Sequence, residues 1–518
     1  MSDSGLPISW AKAPLSDLIN INPRTFCLLP TADLLSVHFV PMRAVKEDFG
    51  GIDISWRRPL NDVQKGYTSF LPGDVLFAKI TPCMENGKVA VVPELPDHIG
   101  YGSTEFHVLR CNGSVSPKWL AYFLSQSQLR RVARQNMTGS AGQMRVPTSW
   151  LSAMEIPVAP ATEQTRIVEK LEELLSDLDA GVAELKAALQ KLAQYRQSLL
   201  KAAVEGALTA EWRAKHQPTE TGAQLLDRIL TERRARWEAR QLAKFKEQGK
   251  MPPKDWQKQY PEPGQPDTSE LPKLPAGWVW ASVEQLGHVQ LGRQRSPSKI
   301  GKANPTPYIR AANITENGVD LSDVLEMDFS ETEKETFALK VGDILLTETS
   351  GSPEHVGRPA IWKQVGGLYC FQNTVLRFSP EGIGSEYAFY SFLAMQKLGV
   401  FSKLSGGVGI NHLSAGKFSK LPVMLPPVAE QLALIETLEE SFSRIDDQLA
   451  FQAHSLKQST AQRQNILRAA FSGQLVAQDQ NDEPASVLLE RIRAERLGRA
   501  SSRNNKHSAV RTGRKPTC

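Results

Sequence analysis

The sequence predicts an α+β protein built twice over: two similar α+β lobes, each followed by a long α-helix, the two helices pairing as an antiparallel coiled coil. The expected whole has internal pseudo-two-fold symmetry. Three observations predict it. The stretch QSLLKAAVEGAL, Gln197 to Leu208, returns as QNILRAAFSGQL, Gln464 to Leu475. The match extends upstream without a gap, Gln164 to Leu208 aligning on Gln431 to Leu475. Short blocks before that recur at offsets of 265 to 270: Leu6-Pro7 and Trp10 as Leu274-Pro275 and Trp278, Phe39-Val40 as Tyr308-Ile309, and Gly73-Asp74 as Gly342-Asp343. Self-similarity over so long a period marks a duplicated structural unit. Two such units in one chain can imitate a homodimer.

Taken in order, residues 1–157 and 273–422 read as the two lobes. GDVLFAKI (Gly73 to Ile80) and GDILLTET (Gly342 to Thr349) each look like a turn feeding a half-buried strand, and VAVV (Val89 to Val92), TEFHVL (Thr104 to Leu109) and TVLRF (Thr374 to Phe378) like further short strands. Trp119 to Arg134 and Glu386 to Leu398 read as helices. Residues 158–208 and 423–475 read as the long helices. Each opens with Glu-Gln (Glu163-Gln164, Glu430-Gln431) after a proline break at Pro160 or Pro426-Pro427.

The first helix carries a seam at Ile167, Leu171, Leu174, Leu178, Val182, Leu185, Leu189, Leu192 and Leu199. The second keeps Leu438, Phe442, Ile445, Leu449, Leu456 and Ile466 but places Gln452, Ser459 and Arg463 on the same stripe, so its seam is weaker. Gly206 and Gly473 stand where a left-handed residue stops each helix. About 40 residues at 1.5 Å give a rod of roughly 60 Å, and the economical cover for a one-sided seam is its own repeat. Residues 209–272 hold a charged helix (Gln224 to Gln248) and a Pro-rich linker; residues 476–518 hold a shorter helix and a basic disordered tail. LLDRILTER (Leu225 to Arg233) returns as LLERIRAER (Leu488 to Arg496), so the duplicated unit includes a shorter helix.

Composition excludes several function classes. Five cysteines form no CxxC pair and no zinc-like cluster with the nine histidines, which argues against a disulfide framework or structural metal and fits a reducing compartment. No basic-then-apolar leader opens the sequence, and no apolar run nears the roughly 18 to 20 residues that cross a bilayer. The net charge is +5, but Arg499, Arg503, Lys506, Arg511, Arg514 and Lys515 account for more than that, leaving an almost neutral body. The first lobe carries 15 basic against 13 acidic residues. That balance leaves the lobe close to neutral, without a broad electrostatic footprint for a polyanion.

No phosphate loop of the GxxxxGK[ST] type is present, and GSAG (Gly139 to Gly142) and GGVG (Gly406 to Gly409) do not open a βαβ unit. Asp255 and Lys258 lie in the linker, where nothing holds a metal. Glu105 and His107 share a strand face, but the other copy has Val375 and Arg377 there, which favours a solvated face over an acid-base pair. The sequence therefore predicts no catalytic residues and no metal site.

Two lobes, each ending in a proline break, a Glu-Gln helix start and an RxxxLxxAxxGxL-type finish (Arg196 to Leu208, Arg463 to Leu475), resemble the specificity subunit of type I restriction-modification enzymes. The resemblance runs from Leu6 to about Arg496. It implies a non-catalytic subunit whose lobes, target recognition domains, each read one half of a split double-stranded DNA target while the paired helices set the gap. It also implies assembly with two methyltransferase subunits, which use S-adenosylmethionine, and with restriction and translocase subunits, which use ATP and Mg. No cofactor is expected in this chain, no membrane partner, and a place in the cytoplasm of a bacterium or archaeon. Two other readings stay open: the target-reading subunit of another restriction class with a fused methyltransferase-nuclease, and a coiled-coil adaptor that never binds DNA. Base contacts are expected from loops, at Arg43, Lys79, Lys88, Gln143 and Arg145 in the first lobe and at Arg310, Asn313, Arg358, Asn411 and His412 in the second. Lys88 follows Gly87 as Arg358 follows Gly357. Arg24 and the cluster Arg293, Arg295, Lys299 and Lys302 are the expected phosphate contacts.

Overall fold

A computed structural model of the chain describes residues 5–24, 36–140, 142–294, 305–364, 366–404 and 411–495. They fall into two compact units, Met1–Lys186 with Ala453–Cys518, and Ala187–Gln452. Each unit holds one lobe, the first part of the long helix that follows it and the last part of the other long helix.

In the first lobe a four-stranded antiparallel sheet runs in the order Ile19–Ile21, Phe106–Cys111, Val75–Ala78, Val89–Val91. The second lobe repeats that order with Gly287–Leu291, Val375–Pro380, Ile344–Thr347 and Pro359–Ile361. The repeated Gly-Asp explains the entry to the central strand. Gly73 and Gly342 take left-handed backbone, φ 79° and 93°, which glycine adopts without a Cβ penalty. The aspartate beside each then closes the turn: Asp74 Oδ2 accepts from the Leu71 N–H and Asp343 Oδ2 from the Lys340 N–H, both at 2.8 Å.

A second sheet sits on each frame, and here the lobes part. The first lobe orders Arg57–Pro59, Ser36–Val40, Gly100–Gly102 and Thr68–Phe70. The second has three strands, Leu325–Asp328, Pro305–Ile309 and Cys370–Phe371. Both keep a parallel pair in the middle, His38 beside Gly100 and Tyr308 beside Cys370. A two-strand ribbon closes each lobe, Ala11–Pro14 with Glu155–Val158 and Val279–Ser282 with Pro422–Leu425, both antiparallel.

The long helices are Ala161–Val204 and Val428–Phe471, 44 residues each. They run antiparallel within both units. In the first, Ile167, Leu171 and Leu175 share a core with Ile466, Leu467, Ala470 and Phe471, and Arg463 pairs with Asp179. In the second, Leu199, Leu200 and Ala203 pack with Leu434, Leu438, Phe442 and Ile445, and Arg196 pairs with Asp446 at 2.6 Å. The seam from Val182 to Leu192 is only half-buried. Arg463, read as a flaw in the second seam, instead supplies a cross-helix ion pair.

Both helices end as a left-handed glycine requires. Gly206 and Gly473 have φ 73°. The N–H of Ala207 reaches back to the Ala202 carbonyl and that of Gln474 to Ala469, each at 2.9 Å, the six-to-one bond that satisfies a helix-terminal carbonyl.

Two segments differ from their sequence reading. Trp119 to Arg134 is two helices, Pro117–Leu124 and Ser127–Gln135. The Ser125 hydroxyl donates to the Tyr122 carbonyl at 2.7 Å and Gln126 is extended, ψ 132°; a serine that bonds the local backbone in this way competes with the helix ladder. The charged helix, observed as Gly222–Glu247, is more than a spacer, because Leu225 and Ile229 are fully buried in the core of the second lobe. Helix 485–495 does the same for the first lobe through Ala485 and Leu489. The docking bonds match: Gly222 N–H to the Gly277 carbonyl at 2.7 Å and Ala485 N–H to the Ser9 carbonyl at 2.9 Å. A shorter helix therefore completes the lobe of the other copy, not the one it follows.

Candidate nucleic-acid interface

The repeated motifs build two junctions where helices meet lobes. In the first unit the Trp10 indole N–H donates to Glu163 Oε2 at 3.0 Å. In the second, Trp278 donates to Glu430 Oε2 at 2.9 Å. All four side chains are buried. The glutamines beside them stitch helix start to strand end, Gln164 to the Ala159 carbonyl and Gln431 to that of Pro426, both at 2.9 Å. Glycine at the far helix end lies against the same site: a Cβ on Gly473 would collide with the Pro7 ring and one on Gly206 with the Pro275 ring. The glutamine of each repeated stretch ties the helix to a lobe, Gln464 Oε1 accepting from the Ser127 N–H at 3.0 Å and Gln197 Nε2 donating to the Lys397 carbonyl at 2.9 Å.

The first lobe brings most of its candidate residues into one loop cluster. Lys79 directly follows the central strand; its N–H donates to the Glu105 carbonyl and its carbonyl accepts from the Val146 N–H. Ile80 and Thr138 both bridge to Arg145. The Arg145 guanidinium grips Glu105 through Nε at 2.9 Å and Nη2 at 2.8 Å, which holds the Glu105 carboxyl below the usual carboxylate range. Gln143 is exposed at the tip of that loop. Lys88 Nζ donates to the Met42 carbonyl at 3.3 Å, placing it beside the exposed Arg43, whose guanidinium stacks 4.2 Å from the Trp56 ring centroid. Arg24 is exposed at the end of the segment after Ile19–Ile21. His107, read as one half of a solvated face, is buried, between Asn22 at 3.2 Å and the Val146 carbonyl at 2.9 Å. Burial lowers its pKa, and the nearby Lys79 charge acts in the same direction.

The second lobe uses the same positions with different side chains. Thr349 pairs with His412 and Ser350 with Asn411, the counterpart of the Ile80–Arg145 bridge. His412 is exposed, with Nδ1 3.4 Å from Glu348 Oε1. Glu348 stands where the first lobe has Lys79, so the acidic partner has moved to another strand. Arg358 Nη1 donates to the Ile314 carbonyl at 3.4 Å, as Lys88 does to Met42. Gly87 and Gly357 before them share φ 69°. Arg310 pairs with Asp323.

Two candidates carry structural work instead. Asn313 is 3% exposed, and its amide accepts from the Arg310 N–H and donates to the Asp320 and Asp323 carbonyls. It holds the 310–323 loop, with its amide N–H groups spent on backbone and its side chain buried away from a base. Arg293, expected on phosphate, is 8% exposed, with Nε 2.7 Å from Glu333 and its guanidinium over Phe329. Both leave the candidate set. Arg295, Lys299 and Lys302 lie outside the described residues, as does most of the glycine turn before Asn411. Among the described residues, no grouping of three or more His, Cys, Asp or Glu side chains suits a metal ion, and no helix is long and apolar enough to cross a membrane.

Residues 7–190 and 275–449 match the family described as the type I restriction modification DNA specificity domain, one match per lobe. The chain is 27% identical over 523 residues to the EcoEI type I restriction enzyme specificity subunit of Escherichia coli, covering 88% of this chain and 81% of that one. It is 24% identical over 528 residues to the EcoKI specificity subunit of the same species, covering 97% and 99%. Among solved structures, the HsdS subunit from Thermoanaerobacter tengcongensis matches with a TM-score of 0.51 at 18% identity, covering 91% of this chain and 98% of that one. A chain from a type I restriction-modification system, solved for its complex assembly and conformational transition, gives 0.64 at 18% identity, covering 91% and 99%. At such identities the structural likeness establishes the fold. The two matched stretches cover more than two thirds of the residues, and the chain accordingly belongs to the type I restriction-modification DNA specificity family, as a non-catalytic specificity subunit.

Proposed function

We propose that this chain reads a bipartite double-stranded DNA target, one half-site per lobe, and serves as the scaffold on which two methyltransferase subunits and the restriction and translocase subunits assemble in the bacterial or archaeal cytoplasm. S-adenosylmethionine, ATP and Mg belong to those partners in this reading. The observation that carries it is the pairing of a shared frame with unlike loops. The order of the first sheet, the glycine turns and the helix junctions repeat between lobes, whereas Lys79, Lys88, Met144 and Arg145 are answered by Glu348, Arg358, Asn411 and His412. A frame repeated for placement and side chains varied for contact is what two readers of different half-sites require.

The candidate readers are Lys79, Lys88, Gln143 and Arg145, with Arg43 beside them, in the first lobe, and Arg310, Arg358, Asn411 and His412 in the second; Arg24 is the candidate for phosphate. Readers of one duplex face stand roughly a helical turn apart, about 34 Å, and the paired helices are proposed to set that gap. Coexpression with the cognate methyltransferase followed by sequencing of genomic methylation is the test. A split motif with a fixed gap supports the reading; a contiguous motif, or unmodified DNA, overturns it.

A further inference from the structure

The outer strand of the first lobe's second sheet carries an arrangement absent from its counterpart. Arg57–Pro59 is an edge strand exposed at all three positions. The Phe39 N–H donates to the Trp56 carbonyl at 2.9 Å, which continues the pairing one residue upstream. Trp56 and Arg58, two apart on an extended chain, therefore share a face, with backbones roughly 6.7 Å apart. Each bears an arginine-aromatic stack. Arg43 lies over Trp56, whose indole N–H is held by Asp53 Oδ2 at 3.2 Å. Arg58 lies 4.5 Å from the Phe39 centroid and 5.9 Å from that of Tyr67, and Nη1 donates to the Tyr67 hydroxyl at 3.3 Å. Trp56 and Tyr67 are 41% and 37% exposed.

The neighbouring carboxylates are engaged elsewhere. Asp53 is turned to Ser55 and Trp56, and Asp97 takes Arg57 at 2.7 Å. Arg57 is thus an anchor, while Arg43 and Arg58 point planar cations outward on rings. Stacking fixes a guanidinium at little further entropy cost and leaves its N–H edge free for a phosphate. In the second lobe the register puts Leu325, Glu326 and Met327 where Trp56, Arg57 and Arg58 stand, opposite Tyr308, Pro307 and Thr306. Met327 there is fully buried, packed with Phe329 and Phe337.

We infer that the Arg43–Trp56 and Arg58–Phe39–Tyr67 stacks form a backbone clamp, specific to the first lobe, that holds the sugar-phosphate backbone of duplex DNA without reading sequence. The inference rests on the DNA-reading function above and makes the two lobes unequal in grip. It moves Arg43 from base contact to backbone contact.

The test uses the chain assembled with its methyltransferase partner and a duplex oligonucleotide carrying the motif found by methylation sequencing. Arg58→Ala is expected to weaken binding and to make the slope of log K against log salt shallower by about 0.9, the signature of one lost phosphate contact, with the methylated motif unchanged. Arg58→Lys, which keeps charge but loses the planar stack, should retain the slope and lose part of the affinity. An unchanged slope and affinity for Arg58→Ala overturns the clamp, and so does a relaxed motif, which would make Arg58 a base reader. If the wild-type complex binds no such duplex, the parent reading fails instead, before any variant is compared.

Discussion

The two helix-lobe junctions are built from one plan and finished with different chemistry. Both bury a tryptophan-glutamate bond under a helix-terminal glycine. In the second unit Glu430 Oε1 also takes the Arg213 guanidinium at 2.7 Å and the Thr209 hydroxyl at 2.7 Å. In the first, the corresponding oxygen of Glu163 takes a neutral amide, Gln478 Nε2 at 2.6 Å; the nearby Arg166 is spent on Asp482, also at 2.6 Å. A buried carboxylate facing a cation keeps its charge cheaply, whereas one facing an amide is penalised by desolvation. Burial accordingly raises the Glu163 pKa. The repeat conserves placement, and each copy is left to balance its own charge.

Variants that strike what the junctions share should hurt most and equally. Gly206→Val and Gly473→Val each force a β-branched side chain into left-handed backbone and into a proline ring. Each should cost at least about 2 kcal/mol, seen as a lower midpoint in denaturant unfolding of the intact chain. A large loss at one site and none at the other would show that the junctions are not equivalent.

Variants that strike what differs should separate them. Glu430→Gln leaves the Arg213 guanidinium without its carboxylate and should cost on the order of 2–3 kcal/mol, since breaking a largely buried pair is expensive. Glu163→Gln exchanges one neutral-amide contact for another and should cost under about 1 kcal/mol. Equal losses in the same unfolding experiment would contradict the charge contrast. Trp10→Phe and Trp278→Phe, which keep the ring and remove the donor, should each cost about 1–2 kcal/mol, with the larger effect at Trp10 because Glu163 lacks a cation to fall back on.

The smallest effect is in pH. A carboxyl whose folded pKa is raised holds its proton more tightly folded than unfolded, so the stability it contributes is greatest below the unfolded value and declines as pH rises through the raised folded value. The first unit should lose a little stability from mild acid toward neutrality, and Glu163→Gln should flatten that slope. Hydrogen exchange read separately for the Trp10 and Trp278 segments checks it; an opposite slope at Trp10 would reject the assignment.

Much of this frame was legible because periodicity and repetition are carried by local sequence. The left-handed glycines, the proline breaks and the central Gly-Asp strands could be read directly. The Trp-Glu bonds were missed, although the clue was present: the partners lie 153 residues apart in one copy and 152 in the other. The nearly constant spacing marks both residues as parts of the repeat, and periodicity does not register that they touch. Exchange of the shorter helices between copies was equally hidden, since LLDRILTER and LLERIRAER identify a repeat without saying which lobe it completes. Among the candidate contacts, a polar loop residue was recognisable but its satisfaction was not. Asn313 and Arg293 look as free in sequence as Gln143 and Arg43, and only cross-strand partners, set by register, tell them apart. Arg58 and Trp56 were overlooked for the same reason, because their shared face exists only once Phe39 is paired.

Each lobe is proposed to read its own half of a split target. Genomic methylation sequencing of the complex carrying Lys79→Ala tests it most directly. One half of the motif should relax while the other half and the gap between them stay fixed. Loss of selectivity in both halves together would contradict the account.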